Sequence, residues 1–323
     1  MSEHFIKEIE IKNYKLFKDF KAEGFGRVNL IGGKNNVGKT AFMEAICVNV
    51  YAKSVPRFYT TLLYITFIRE KLEFINKLIE QEDDKKLFEN IKSYNSISNI
   101  NSVKYKIIEG EGIKKYRFVI KGKEHLININ DFSYEINLIT SILFLDNKGF
   151  TNKFLKQIYI EVQRQDKEEE LNKFIRLFDN NIKKFKIFDD SPECKLINQN
   201  GYRKLSEFGD GLKSYISIIC ALYACKNSYL FIDEVDNGIH YTNLDKLWEI
   251  ILTLSKQQNV QVFATTHSKE CIESYARVAK RLEDKEITFI EMCKREDEIK
   301  AFIYPFDWFI DEIEQEHEVR GCL

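Results

Sequence analysis

The chain has 323 residues and a net charge of −1, with 44% hydrophobic residues, 31% charged residues and only three prolines. This composition is that of a folded globular protein and excludes a disordered or collagen-like chain. No run of 18 or more apolar residues occurs, and the N-terminal residues lack the apolar stretch of a secretory signal. We therefore expect a cytoplasmic protein with no membrane partner, and the near-zero charge gives no overall attraction to nucleic acid.

The predicted elements begin with a strand over 5–14, a short apolar strand over 27–31 that ends in a glycine-rich loop, and a helix over 41–50. An amphipathic helical pattern follows over 67–93, and strand-like runs occur at 103–109, 114–120 and 124–129. Helical patterns at 150–163 and 167–178 then lead to two strand-like runs that are joined through Asn200-Gly201, a dipeptide favoured in hairpins.

The second half alternates helices and strands, with helices at 212–226, 242–256 and 269–280 and strands at 228–233 and 260–265. Such alternation is expected of a parallel sheet. A hairpin around 295–297 and a final amphipathic helix near 306–316 complete the prediction. We predict an α/β fold with a core formed by residues 1–52 and 201–323, interrupted over 53–200 by inserted strands and a helical lobe.

A phosphate-binding pattern, G-x-x-x-x-G-K-[ST], stands at residues 33–40 between a predicted strand and a predicted helix. Backbone N–H groups of such a loop turn towards phosphate oxygens, and the positive end of the helix dipole faces the same anion. Lys39 is predicted to reach the β- and γ-phosphates and the Thr40 hydroxyl to bind Mg²⁺. The other predicted nucleotide contacts are Gly33, Asn35, Asn36, Val37 and Gly38. Alone, the motif also suits a glycine-rich turn with a surface lysine.

Two consecutive carboxylates end the apolar run Tyr229-Leu230-Phe231-Ile232, which makes 229–234 a Walker B segment. Asp233 is predicted to hold Mg²⁺, and Glu234, on the opposite side of the pleat, to orient and deprotonate the attacking water. Acidic residues that merely end a buried strand are the alternative, which accounts more easily for one carboxylate than for two.

A polar cluster, Thr266-His267-Ser268, follows the predicted strand at 260–265. Because such strand ends line the nucleotide crevice of α/β sheets, His267 is predicted to hydrogen-bond the γ-phosphate. The alternative is an ordinary residue at a helix entry beside Ser268 as N-cap.

Small residues Gly209 and Gly211, with Asp210 between them, precede the helix before Walker B and predict a second anion site. One nucleotide cannot engage this site and the phosphate-binding loop of the same chain, whereas a second copy can present it across a two-fold interface. We therefore expect a homodimer with composite ATP sites.

In their order, these motifs resemble the ATP-binding-cassette head domains of SMC, RecF and OLD-like ATPases, of the AAA-15/AAA-21 type of stand-alone bacterial proteins. The segments that carry the resemblance are residues 11–17, the G-x-N-x-x-G-K-T form of the loop, residues 208–211, residues 232–240 and residues 264–268. The resemblance implies a P-loop NTPase with an ABC head and a mixed or parallel sheet core, the cofactors ATP and Mg²⁺, and a D-loop at 237–240.

Two positions depart from the family pattern. The signature serine of transporters is matched by either Ser206 or Gly209, and Gly209 is favoured. The expected glutamine of the Q-loop is missing, because the matching strand over 141–145 continues into Asp146 and Asn147.

The predicted function is an ATP-gated dimeric switch, the ATPase subunit of a bacterial anti-phage or toxin-like system with a separate effector protein. A RecF-like or SMC-like DNA-binding or DNA-repair ATPase is the alternative, for which Lys183-Lys184-Phe185-Lys186 is the densest basic run. A small-molecule kinase or GTPase would suit the phosphate-binding loop alone, but it leaves Asp233-Glu234, His267 and the glycine-rich segment before the predicted helix at 212–226 unexplained. About 55 residues follow Ser268, too few for the Toprim domain of OLD-like nucleases, so no built-in nuclease is expected.

Overall fold

The computed structural model describes residues 2–70, 93–110, 113–128, 142–146, 149–296 and 298–317. Its strands are β1 (Glu8–Tyr14), β2 (Phe17–Glu23), β3 (Val28–Gly32), β4 (Ser93–Ser98), β5 (Ser102–Gly110), β6 (Ile113–Ile120), β7 (Lys123–Asn128), β8 (Leu143–Leu145), β9 (Ile182–Phe188), β10 (Ser191–Leu196), β11 (Tyr202–Lys204), β12 (Tyr229–Ile232), β13 (Gln261–Thr265), β14 (Ile287–Arg295) and β15 (Glu298–Pro305). Its helices are α1 (Lys39–Tyr51), α2 (Val55–Glu70), α3 (Asn152–Arg164), α4 (Glu168–Phe178), α5 (Asp210–Ala224), α6 (Leu244–Gln258), α7 (Lys269–Arg281) and α8 (Phe306–Glu314). Most of the predicted helical pattern over 67–93 lies outside the described residues.

The core sheet has the strand order β15-β14-β3-β13-β12-β8. Its neighbours pair in parallel except for the β14–β15 hairpin, which is antiparallel. Every residue of β3, β8, β12 and β13 is buried, as expected for parallel strands that are covered on both faces. The predicted α/β class with a mixed core sheet is therefore confirmed.

A second sheet, with the order β2-β1-β4-β5-β6-β7, is antiparallel throughout. It shares one hydrophobic cluster with α1 and α2, and Phe231 and Phe263 of the core sheet also belong to that cluster. The opposite face of the core sheet, which carries Leu230 and Val262, packs in another cluster with residues of α5, α6 and α7. Alternation along β12 and β13 thus supplies both sides of the core.

The third sheet, with the order β11-β10-β9, is small and lies with α3 and α4 beside α5. Residues 53–200 therefore contribute β4 to β7 to the antiparallel sheet, β8 to the core sheet, and β9 and β10 to the small sheet. None of the described helices is long and apolar enough to cross a membrane.

Candidate nucleotide-binding site

The loop between β3 and α1 depends on glycine at both ends. Gly33 has φ 143°, and a Cβ atom there would lie 2.3 Å from the carbonyl oxygen of Met292. Gly38 has φ 91° and is the N-cap of α1, without a side-chain hydrogen bond to the first turn. The backbone N–H groups that begin α1 are therefore open to an anionic ligand, which is the arrangement that phosphate groups use at helix N-termini. Asn35 and Asn36 are exposed in the same loop, whereas Val37 is buried.

Lys39, the first residue of α1, folds back over the loop that precedes it. Its ammonium group donates hydrogen bonds to the carbonyl oxygens of Gly33 and Lys34, at 2.8 and 2.9 Å. Burial lowers the pKa of Lys39, while the negative charges of Asp233 and Glu234 act in the opposite direction. The two hydrogen bonds hold the Lys39 side chain at the mouth of the loop, where both Walker B carboxylates act on it electrostatically.

Hydroxyl groups from two elements converge on the Asp233 carboxylate. The Thr40 hydroxyl lies 3.1 and 3.2 Å from its two oxygens, and the Thr265 hydroxyl donates to Oδ1 at 2.5 Å. A carboxylate beside a threonine hydroxyl is a set of hard oxygen ligands of the kind that Mg²⁺ prefers. The chemistry of Thr40 and Asp233 therefore fits the predicted Mg²⁺ site.

The backbone at Glu234 differs from the sequence prediction, which placed Asp233 and Glu234 on opposite sides of a strand. β12 ends at Ile232, and Glu234 adopts a left-handed backbone conformation with φ 50°. Its N–H donates to the Thr265 hydroxyl at 2.9 Å. The expectation that the pleat of the strand separates the two carboxylates was wrong, because the strand ends before both residues and Glu234 lies in a turn.

His267 lies in the segment between β13 and α7. Its Nδ1 is 4.0 Å from Glu234 Oε1, and about half of its side chain is exposed. Ser268 is the N-cap of α7, because its hydroxyl accepts a hydrogen bond from the N–H of Cys271 at 3.1 Å. The structure thus brings His267 to the Walker B glutamate while the neighbouring serine begins the helix.

The predicted second anion site is only partly accessible. α5 begins at Asp210, with Gly209 as N-cap at φ 85°, and both residues are exposed. Gly211 is buried instead and packs closely against Gly238 of the predicted D-loop, since a Cβ atom on Gly211 would lie 2.2 Å from the carbonyl oxygen of Gly238. Gly209, rather than Ser206 in the preceding turn, therefore stands at the helix N-terminus.

Two features of this region were not assigned from the sequence. Thr265 was noted only as part of a strand end, although its hydroxyl contacts the Walker B segment twice. The strand matched to the Q-loop, β8, lies next to Walker B, since the N–H of Asp233 donates to the carbonyl of Leu145 at 2.7 Å. Asp146 follows β8 at this edge, and Asn147 lies outside the described residues.

Comparisons with known proteins point to ATPases. Residues 115–273 match the family described as "AAA domain, putative AbiEii toxin, Type IV TA system", and residues 5–49 match the "AAA ATPase domain" family. A Helicobacter pylori protein described as an ATP/GTP phosphatase is 27% identical, over 96% of this chain and 97% of that protein. The DNA replication and repair protein RecF of Bacillus cytotoxicus is 48% identical over 50 residues, which cover 16% of this chain and 13% of RecF.

Solved structures of SMC heads share the fold. An SMC head bound to the C-winged helix domain of ScpA has a TM-score of 0.53 at 14% identity, over 94% of this chain and 99% of that one. An Smc head domain with an extended coiled coil, bound to the C-terminal domain of ScpA derived from Pyrococcus furiosus, has a TM-score of 0.50 at 11% identity, over 97% and 99%. The chain therefore has the α/β fold of a P-loop ABC ATPase head, and the matches to two ATPase-domain families agree with this fold.

Proposed function

We propose that this ATPase depends on Mg²⁺ and acts as an ATP-gated dimeric switch. The proposal rests on one observation. Thr40, Asp233 and Glu234 lie together at one edge of the core sheet, next to Lys39. Thr40 and Asp233 would hold Mg²⁺, which would neutralise the charge on the phosphate groups during phosphoryl transfer. Lys39 donates hydrogen bonds to the phosphates, and Glu234 orients the attacking water and accepts its proton. His267, near Glu234, contacts the γ-phosphate.

The dimeric part of the proposal rests on α5. Its N-terminus is exposed at Gly209 and Asp210, and the adjoining Gly211 packs on the D-loop of the same chain. An exposed helix N-terminus suits the γ-phosphate of a nucleotide held by a second copy. Asp210 places a negative charge at this position, so we assign the phosphate contact to backbone N–H groups of the α5 N-terminus.

Light scattering of Glu234→Gln tests the composite site, because slow turnover lets the ATP-bound state accumulate. With ATP and Mg²⁺ we expect the mass of a dimer, and with ADP the mass of a monomer. A monomer mass at saturating ATP, with nucleotide binding verified by filtration, contradicts the dimeric switch.

The output of the switch is proposed to lie in a separate effector protein of a defence or toxin-like system, with no nuclease activity in this chain. The family description that mentions a putative AbiEii toxin and a type IV toxin–antitoxin system supports this assignment. The test is expression of the gene alone and together with its neighbouring gene, each with wild-type Lys39 and with Lys39→Ala. Toxicity or DNA cleavage that the wild-type gene causes alone refutes the separate effector.

The second candidate is an ATPase that binds DNA, in the manner of RecF. The local similarity to RecF favours it, as does the small sheet, on which the cross-strand pair Lys184 and Lys195 shares one face with Lys186. This face also carries Glu193, and Lys184 lies 3.6 Å from Glu169. Gel-shift titration of duplex DNA with and without ATP separates the candidates, since the RecF-like function requires ATP-dependent binding that weakens with salt.

A further inference from the structure

The hydroxyl of Thr265 connects the two Walker B carboxylates. It donates its single proton to Asp233 Oδ1 at 2.5 Å and accepts the N–H of Glu234 at 2.9 Å. Thr265 itself is buried, and its carbonyl oxygen accepts the N–H of Val235 at 3.0 Å. One hydroxyl therefore donates to Asp233 and accepts from Glu234, two neighbouring residues with different proposed roles in catalysis.

The backbone conformation of Glu234 explains why the hydrogen bond to Thr265 matters. A left-handed conformation such as its φ of 50° is unfavourable for a residue with a side chain, and it persists where the surroundings hold it. The Thr265 hydroxyl and carbonyl bond the N–H groups of Glu234 and Val235, one after the other. Thr265 therefore holds the turn that contains Glu234.

Thr266, the first residue after β13, makes an analogous connection. Its hydroxyl donates to Asp236 Oδ1 at 2.7 Å and accepts the N–H of Ser268 at 3.0 Å. Its own N–H donates to the carbonyl of Ile31, at the end of β3, at 3.1 Å. The hydrogen bond from Ser268 thus spans His267, and the hydrogen bond to Asp236 ties this segment to the residue that precedes the predicted D-loop.

We propose that Thr265 and Thr266 are positioning residues: Thr265 orients Asp233 and Glu234, and Thr266 holds the His267 segment against the D-loop. The inference rests on the proposed Mg²⁺-dependent ATPase. The two hydroxyls bond different partners, so that one threonine serves the metal and the base while the other serves the His267 segment. The two roles require different measurements.

For Thr265, the measurement is the affinity for Mn²⁺ in the presence of ATP. Electron paramagnetic resonance reports this affinity, and every variant carries Glu234→Gln as the parent substitution. Thr265→Val keeps the shape of the side chain and the hydrogen bond from the Val235 N–H to the residue 265 carbonyl, but it removes both hydrogen bonds of the hydroxyl, which Thr265→Ser restores. Outer-shell partners of metal ligands change metal affinity about 10–100-fold, so we expect Mn²⁺ binding by Thr265→Val to be roughly tenfold weaker and Thr265→Ser to lie near the parent.

Equal Mn²⁺ affinities for the valine variant and the parent overturn the role of Thr265. So does a serine variant that binds as weakly as the valine variant, because the shape of the side chain would then be decisive. If the parent itself binds no Mn²⁺ with ATP, the proposed Mg²⁺-dependent function fails, and this inference fails with it.

For Thr266, the measurement is hydrogen–deuterium exchange of the nucleotide-free protein, which requires neither metal nor dimer. Thr266→Val is expected to speed exchange over residues 235–240 and 267–269 by about tenfold, because the loss of one net hydrogen bond makes local opening easier by about that factor. Thr266→Ser should leave exchange within about threefold of the wild type. Unchanged exchange in the valine variant, or faster exchange spread equally over β13 and α6, overturns the assignment.

Discussion

The Thr40 hydroxyl lies 3.1 Å from Asp233 Oδ1, although 193 residues separate them in the sequence. Thr40 is in the first turn of α1, directly after the loop from β3, and Asp233 directly follows β12. Since β13 pairs in parallel with both strands, the carboxyl ends of β3 and β12 reach the same edge of the core sheet. Each half of the chain therefore supplies one part of the proposed magnesium site, and only folding joins them.

Glu234→Gln should bind ATP as the wild type does but lose turnover by at least about 100-fold. General bases contribute about 10²–10⁴-fold, and glutamine keeps the size of the side chain while removing the basic carboxylate. Steady-state phosphate release and equilibrium nucleotide binding measure the two effects. Glu273→Gln on α7 is the matched control and should hydrolyse ATP normally. Turnover by Glu234→Gln close to that of this control argues against Glu234 as the base.

Lys39→Ala should fail at the earlier step of nucleotide binding. The substitution removes the ammonium group that is held at the mouth of the loop, and a hydrogen bond to a charged group contributes about 1.5–3 kcal/mol. We expect ATP affinity, measured by calorimetry, to fall by about 10–100-fold. Lys34→Ala removes an exposed lysine from the same loop and should bind ATP nearly normally. Similar losses in both variants would mean that general positive charge, rather than the position of Lys39, attracts the nucleotide.

The sequence predicted most elements of the core sheet because buried parallel strands and their following helices leave strong local patterns. The positions of Gly33, Lys39 and Asp233 around the loop follow from short motifs in the same way. Tertiary contacts determine the features that were missed. The left-handed turn at Glu234 depends on Thr265 from another strand, and the burial of Gly211 depends on the D-loop. Neither contact leaves a pattern in neighbouring residues.

Arg27→Ala should strongly destabilise the fold at the end of the core sheet remote from the proposed site. The buried Arg27 guanidinium pairs with buried Asp284, lies 3.2 Å from Glu286 Oε2, and donates to the carbonyl of Leu252 at 3.0 Å. Removing one partner of a buried pair leaves a desolvated charge and costs about 3–5 kcal/mol. Urea unfolding should report this loss. Arg117→Ala, from an exposed pair with Glu124, should cost no more than about 1 kcal/mol, so equal losses contradict the prediction.

Gly211→Ala should impair turnover through the D-loop while leaving ATP binding by the monomer nearly intact. An alanine Cβ would lie 2.2 Å from the carbonyl oxygen of Gly238 and 3.1 Å from its carbonyl carbon. Both neighbours are backbone atoms, so relief requires a shift of α5 or of the D-loop, not the rotation of a side chain. Overpacking of this kind costs about 1–3 kcal/mol.

Lys39 and Thr40 lie in the first turn of α1, away from the altered contact, so the nucleotide affinity of Gly211→Ala should stay within about threefold of the wild type. If the active arrangement of α5 and the D-loop becomes about 1–3 kcal/mol less favourable, turnover should fall by about 5–100-fold. Gly201→Ala is the matched control, because its Cβ would meet no atom within 4 Å. Thermal unfolding of both variants shows whether Gly211→Ala also loses global stability. Normal turnover by Gly211→Ala would mean that contact between α5 and the D-loop has no part in hydrolysis. Loss of turnover with retained ATP binding and stability would instead mean that the α5 N-terminus and Walker B are coupled within one chain. Gly238 and the Thr266–Asp236 hydrogen bond would provide this coupling.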